Sequence, residues 1–110
     1  MFLERNINNL ALTGFMGVGK STVGRHLADY LSFQFKDTDE IIEERNKSTI
    51  SEIFDSRGES YFRALEKKLI EEMLGWNQCV ISTGGGVVAF EDNMLQLKKS
   101  AFVVCLWAKP

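Results

Sequence analysis

In 110 residues there is room for one compact domain with a core of modest size, and hydrophobic and charged shares of 45% and 25% are those of a folded chain, not a disordered one. Thirteen Lys and Arg against 15 Asp and Glu leave a net charge of -2, which excludes whole-molecule attraction to nucleic acid or an anionic membrane and makes any anion site local. Met1 to Asn6 does not read as a secretory leader and no apolar run approaches membrane-spanning length, so a cytoplasmic protein is expected.

The first element is the short apolar run Asn9-Leu10-Ala11-Leu12-Thr13, a strand that ends in a Gly-rich turn. From Lys20 to Leu31, Val23, Leu27 and Leu31 recur at helical spacing. Ser32 to Lys36 alternates as a second strand, and after Asp37-Thr38-Asp39 a charged helix begins around Ile41 and Ile42. Ser51 is placed to cap a short helix that carries Ile53 and Phe54 and stops at Arg57-Gly58. A longer helix follows from Ser60 to Leu74, with a core stripe at Phe62, Leu65, Leu69 and Met73. On it Lys67 and Lys68 stand four residues before Glu71 and Glu72, and Gly75 ends the run. Val80-Ile81-Ser82, closed by Thr83-Gly84-Gly85-Gly86, is a third strand, and Phe102 to Trp107 is a fourth.

Continuous apolar strands alternating with helices predict an α/β fold, a parallel sheet covered on both faces and built from right-handed βαβ units. The two cysteines, Cys79 and Cys105, lie in apolar stretches and read as buried free thiols, with neither a disulfide nor a zinc site. His26, the single histidine, has no ligand partner at metal spacing and reads as a helical surface residue.

The strongest chemical signal is Gly14-Phe15-Met16-Gly17-Val18-Gly19-Lys20-Ser21, which satisfies G-x-x-x-x-G-K-[ST] between a strand and a helix. Glycines let backbone N–H groups turn inward around an anion, and the following helix adds its own unsatisfied N–H groups and positive dipole end. Gly14, Met16, Gly17, Val18, Gly19, Lys20, Ser21 and Thr22 are therefore the nucleotide-binding candidates. Lys20 is suited to the β- and γ-phosphates and Ser21 to Mg²⁺. A nucleoside triphosphate and a magnesium ion follow from this, but not a reaction.

Further candidates fall at the carboxyl ends of strands or between them, where a parallel sheet places its ligand crevice: Asp37 and Asp39, Thr83 to Gly86, and Arg63 with Glu66. Arg63 and Glu66, three apart, share a helix face, so the acid can hold the guanidinium. Taken singly, the Asp pair reads equally as helix capping and the Arg–Glu pair as a solvated surface contact.

Taken together, Gly-Phe-Met-Gly-Val-Gly-Lys-Ser-Thr (14 to 22), Asp-Thr-Asp (37 to 39), Ile-Ser-Glu-Ile-Phe (50 to 54), Gly-Glu-Ser-Tyr-Phe-Arg-Ala-Leu-Glu (58 to 66) and Ser-Thr-Gly-Gly-Gly (82 to 86) resemble the shikimate kinases, over nearly the whole chain. The resemblance implies a P-loop kinase-like three-layer sandwich and transfer of the ATP γ-phosphoryl group to a hydroxyl of shikimate. It implies that Asp37 helps hold the magnesium shell and that Asp39 bonds the attacking hydroxyl and serves as base. By the same resemblance Arg63 binds the substrate carboxylate, Gly84, Gly85 and Gly86 let the backbone approach the ring, Glu66 orients Arg63, and residues 37–75 form the substrate-binding part of one domain spanning 1–110. Lys47 departs from the family, which usually has glycine there, and Asn46 is expected to absorb the positive φ of that turn.

The resemblance also implies a lid arginine, a second substrate arginine, a fifth strand and a closing helix past the position of Pro110. The chain is therefore expected to be a C-terminally incomplete kinase domain, with Phe102 to Trp107 as an uncovered edge strand open to self-association. Two other readings stand beside active shikimate kinase: a weak or inactive nucleotide-binding remnant of that family, and another small-molecule P-loop kinase such as a gluconate or nucleotide kinase.

Overall fold

The structure is a computed structural model that describes residues 8–14, 20–84 and 91–106. Its strands are β1 (Leu10–Gly14), β2 (Gln34–Asp37), β3 (Cys79–Ser82) and β4 (Phe102–Leu106). Its α-helices are α1 (Lys20–Leu31), α2 (Thr38–Asn46), α3 (Ile50–Arg57), α4 (Glu59–Glu72) and α5 (Glu91–Ser100), with a 3₁₀ turn over Met73–Gly75. All strand pairs are parallel and the order is β2-β3-β1-β4. The α1 crossover carries the chain from β1 past β3 to β2, whereas α5 carries it from β3 past β1 to β4. The two crossovers thus leave in opposite directions, which opens a crevice at the carboxyl ends of β1 and β3.

Alternation along the strands divides the core in two. Ala11, Ile81 and Val103 face Ile42, Ile53, Phe62, Leu69, Ile70, Met73 and Leu97. Leu12 and Val80 face Ala28, with Leu27, Leu31, Phe33 and Phe35 around them. The α1 layer does not match its expected stripe, because Val23 is exposed while Gly24 and Ala28 are buried. A Cβ on Gly24 would stand 2.5 Å from the Phe35 ring, so the helix seats its smallest residues against the sheet and turns Val23 outward. Coverage is also less complete than expected among the described residues. Phe102 and Val104, on the α1 side of edge strand β4, remain 48% and 40% exposed, and Phe102 lines an apolar groove of about 370 Å³ with Leu10, Leu31 and Phe33. That groove lies at the amino ends of the strands, away from the crevice.

Asn9 ties the amino end of the sheet together. Its buried amide donates to Trp76 O (3.0 Å) and Ser100 O (2.9 Å), and its Oδ1 accepts from Cys79 N (3.0 Å). The starts of β1 and β3 and the end of α5 are thereby joined through one side chain. Cys79 is buried and free as expected, and burial pushes its thiol pKa up. His26 lies exposed on α1. The side chain of Cys105 and residue Trp107 fall outside the description.

Several local expectations are corrected. The second strand begins at Gln34, because Ser32 takes a φ of 59° and turns the chain out of α1. The α2 helix starts at Thr38, directly after β2, because Asp37 caps it by accepting from Glu40 N. The cap of α3 is Thr49, not Ser51: Thr49 Oγ1 accepts from Glu52 N while Glu52 Oε1 accepts from Thr49 N, a reciprocal capping box. Glu72 pairs across to Arg45 of α2 through two bonds of 2.8 and 2.9 Å, while Lys68 on its own helix adds the weaker charge pull its spacing predicts. The α5 helix, to which the spacing assigned no element, spans Glu91–Ser100.

The turn after α2 places its positive φ on Lys47 itself (φ 54°, ψ 39°), while Asn46 stays helical and donates to Ile42 O. A Cβ in the left-handed region costs roughly 1–2 kcal/mol, partly offset because a non-glycine residue loses less chain entropy on folding. Lys47→Gly is therefore expected to raise unfolding stability by about 0.5–1 kcal/mol, read from the urea midpoint at unchanged m. A fall in the midpoint would show that Lys47 contributes contacts that outweigh the strain.

Candidate active site

Three loops deliver the polar side chains to the crevice. At the start of α1, Lys20 Nζ donates to the Thr83 carbonyl and Ser21 Oγ donates to Asp37 Oδ2 at 3.0 Å. Asp37 uses its other oxygen to cap α2. Capping and site roles therefore coincide on one carboxylate, because the strand runs straight into the helix. Thr22 is exposed on α1 and Gly14 ends β1 with a φ of 136°. Met16, Gly17, Val18, Gly19, Gly85 and Gly86 lie outside the described residues.

Asp39 sits in the first turn of α2, pressed against Gly84 beyond β3. A Cβ on Gly84 would fall 2.5 Å from Asp39 Oδ1, so a side chain there would displace the carboxylate from this position. Burial, followed by the nearby charges of Asp37, Glu66 and Glu43, raises the Asp39 pKa to about 6, against the pull of Lys20. The Gly84 N–H is already engaged, donating to Thr38 Oγ1 at 2.9 Å. Thr83, also buried, anchors the same loop: its N–H and its hydroxyl both donate to Leu12 O.

On α4, Arg63 Nη1 donates to Glu66 Oε1 at 2.7 Å, and Nε and Nη2 each approach Glu59 Oε2 at 3.3 Å. This is no solvated surface pair, because Glu66 is 1% exposed. Burial raises the Glu66 pKa, opposed by Arg63. For Arg63, burial works against the charged guanidinium, but the bonds to Glu66 and Glu59 outweigh it and hold its pKa above the ordinary value. The guanidinium carbon lies 5.4 and 5.9 Å from the Phe62 and Phe54 ring centres, and Arg63 lines a cleft of about 190 Å³ with Lys67, Asp92 and Asn93.

Lys20, Ser21, Asp37, Asp39, Gly84 and Glu66 are thus brought within bonding or electrostatic reach of one another, and Arg63 joins them through Glu66. The shikimate kinase family profile matches residues 16–110 of the chain. The chain belongs to the shikimate kinase family. It is 46% identical over 104 residues to the shikimate kinase of Thermoanaerobacter pseudethanolicus and 49% identical over 100 residues to that of Persephonella marina, matches that cover 94% and 91% of this chain and 61% of each relative. The Acinetobacter baumannii shikimate kinase, solved in complex with shikimate, superposes with a TM-score of 0.88 at 38% identity, over 97% of this chain and 60% of that one. The chain spans about 60% of the length of the shikimate kinases it matches.

Family membership agrees with the P-loop kinase sandwich expected from the motifs. Thr38 is given no site role by its motif, and Thr83 is named only as the start of the loop after the third strand. Each lies inside a recognised motif, but only the folded loops show that their hydroxyls are used between elements.

Asp39 lends itself to a test that needs no turnover. Its folded pKa lies above its unfolded value of about 4, so the native state resists its ionisation. Stability associated with its protonated form is present at low pH and lost as pH rises from about 4 through about 6. Asp39→Asn should therefore stabilise the fold at pH 7.5, by about 1 kcal/mol after discounting for partial exposure, and change little near pH 4. Equal effects at both pH values would refute the burial and charge repulsion assigned to this site.

Proposed function

We propose that this chain carries out the first half of a shikimate kinase site: it binds ATP with Mg²⁺ and presents shikimate for transfer of the γ-phosphoryl group, giving shikimate 3-phosphate. The observation that carries the reading is the meeting of Lys20, Ser21 and Asp37 with Asp39 and Gly84 at one crevice, a phosphate-handling side facing an acceptor side.

On the phosphate side, the backbone of Gly14 and Met16 to Gly19 supplies N–H groups, and Lys20 exchanges its Thr83 carbonyl partner for the β- and γ-phosphates. Ser21 Oγ and Asp37 Oδ2 offer two hard oxygens 3.0 Å apart, suited to Mg²⁺, which takes few protein ligands and fills its shell with water and phosphate oxygens. No group of three or more His, Cys, Asp or Glu among the described residues marks a closed metal cage. When bound, the ion supplies neutralisation of the charge on the triphosphate.

On the acceptor side, Asp39 bonds the attacking hydroxyl and takes its proton, a task for which a pKa of about 6 leaves it ionised yet basic at neutral pH. Arg63, pre-oriented by Glu66, binds the shikimate carboxylate with its guanidinium. Gly84 keeps this wall free of a side chain, and Gly85 and Gly86 are the further glycines proposed for substrate binding. Residues 37–75 form the acceptor-binding part of a single domain, and the cytoplasm, which holds ATP and magnesium, is the compartment proposed for it.

The test is ADP release by the purified chain with ATP, Mg²⁺ and shikimate. Shikimate-dependent release that is abolished in Lys20→Ala is expected, with Arg63→Ala raising the shikimate KM by at least about ten-fold while the ATP KM stays within about two-fold. Unchanged shikimate affinity in Arg63→Ala would refute its role. ATP binding without shikimate-dependent release would reduce the reading to a nucleotide-binding domain.

The edge strand supports a second proposal, that copies of the chain associate through β4. Among the described residues β4 ends the sheet, with apolar Val104 40% exposed on its face. Sedimentation over a concentration series should show a growing dimer that Val104→Lys returns to monomer. A strictly monomeric parent at high concentration would refute association.

A further inference from the structure

We infer that Thr38 is a positioning residue that fixes the Asp39 carboxylate against Gly84, and so sets the direction in which Asp39 meets the acceptor hydroxyl. The inference rests on the proposed role of Asp39.

Thr38 is the first residue of α2 and only 1% exposed. Its hydroxyl does not serve its own helix, where Asp37 already provides the cap. It crosses instead to the loop beyond β3 and accepts the Gly84 N–H at 2.9 Å, a buried bond between residues 46 apart in sequence. Gly84 is thus held from two sides by consecutive residues. Thr38 grips its nitrogen, and the Asp39 carboxylate fills the space where a Cβ would stand.

The Asp39 carboxylate itself accepts no hydrogen bond from a described residue, and its oxygens are not sealed from solvent. Its direction is therefore set by packing against the Gly84 wall, and that wall is set by Thr38. Removing the hydroxyl would orphan a buried N–H, and the loop would move to find another acceptor. The Gly84 N–H is likewise spent on Thr38, so Gly84 serves the site through its missing side chain and not as a donor to the acceptor molecule.

Thr38→Val keeps the shape and removes the acceptor, whereas Thr38→Ser keeps the acceptor. Both are compared with the parent chain for near-UV circular dichroism, ADP release and Gly84 amide exchange in ¹⁵N-glycine-labelled protein. Thr38→Ala replaces Thr38→Val should that variant fail to fold. The expected result for Thr38→Val is a kcat lowered by about ten-fold or more with the ATP KM within about two-fold, and Gly84 exchange at least about ten-fold faster. Thr38→Ser should stay within about three-fold of the parent in each readout.

An unchanged kcat in Thr38→Val, equal losses in both variants, or a Gly84 amide as protected in Thr38→Val as in the parent would overturn the inference. If the parent shows no shikimate-dependent turnover, the proposed function fails by itself. The Gly84 exchange then decides the role of Thr38, and an unchanged exchange overturns the inference.

Discussion

The placement of β3 between β1 and β2 is the constraint on which the site depends. Parallel pairing aligns Leu12 with Ser82 and Ser82 with Asp37, so three chain segments reach the same edge of the sheet together. The loop leaving β3 then passes between the start of α1 and the start of α2. It receives Lys20 on the Thr83 carbonyl from one side and Asp39 against Gly84 from the other. A one-residue slip in either pairing would send alternate side chains to the wrong face and separate these contacts.

Charge is handled by concentration and compensation. Asp37, Asp39, Glu43 and Glu66 gather around a crevice in which Lys20 and Arg63 are the nearby cations. Burial leaves the acids poorly solvated, which is why Asp39 and Glu66 both resist ionisation. Glu66 Oε2 is buried without a hydrogen-bond partner among the described residues, so even the carboxylate that holds Arg63 is only half satisfied. Such a cost is tolerable in a domain where it orients a cation, and it is one that simple core packing would not retain. The same trade is visible at Lys47, where a β-carbon occupies a left-handed turn.

Much of the site was legible in the residues themselves. The phosphate loop, the Asp37–Asp39 pair, the Arg63–Glu66 spacing and the glycine run after β3 each carry local chemistry that composition and order reveal. What the spacing could not reveal were partners distant in sequence. Thr38 reads as a helix-start residue until Gly84 is beside it, and Asn9 reads as a strand residue until Trp76, Cys79 and Ser100 surround it. Local competition misled at Ser51 and Asn46, because neighbouring residues of similar capping or turn chemistry cannot be ranked without the backbone path.

The sequence by itself therefore determined the family, the order of the strands and of every helix but α5, and the residue types able to handle phosphate and a carboxylate, since these follow from local spacing and side-chain chemistry. Only the tertiary structure decided the strand order β2-β3-β1-β4, the inward turn of Gly24 in place of Val23, and the raised pKa of Asp39. Those outcomes depend on through-space packing and desolvation. Both arise from contacts between segments whose separation along the chain says nothing of their distance in the fold.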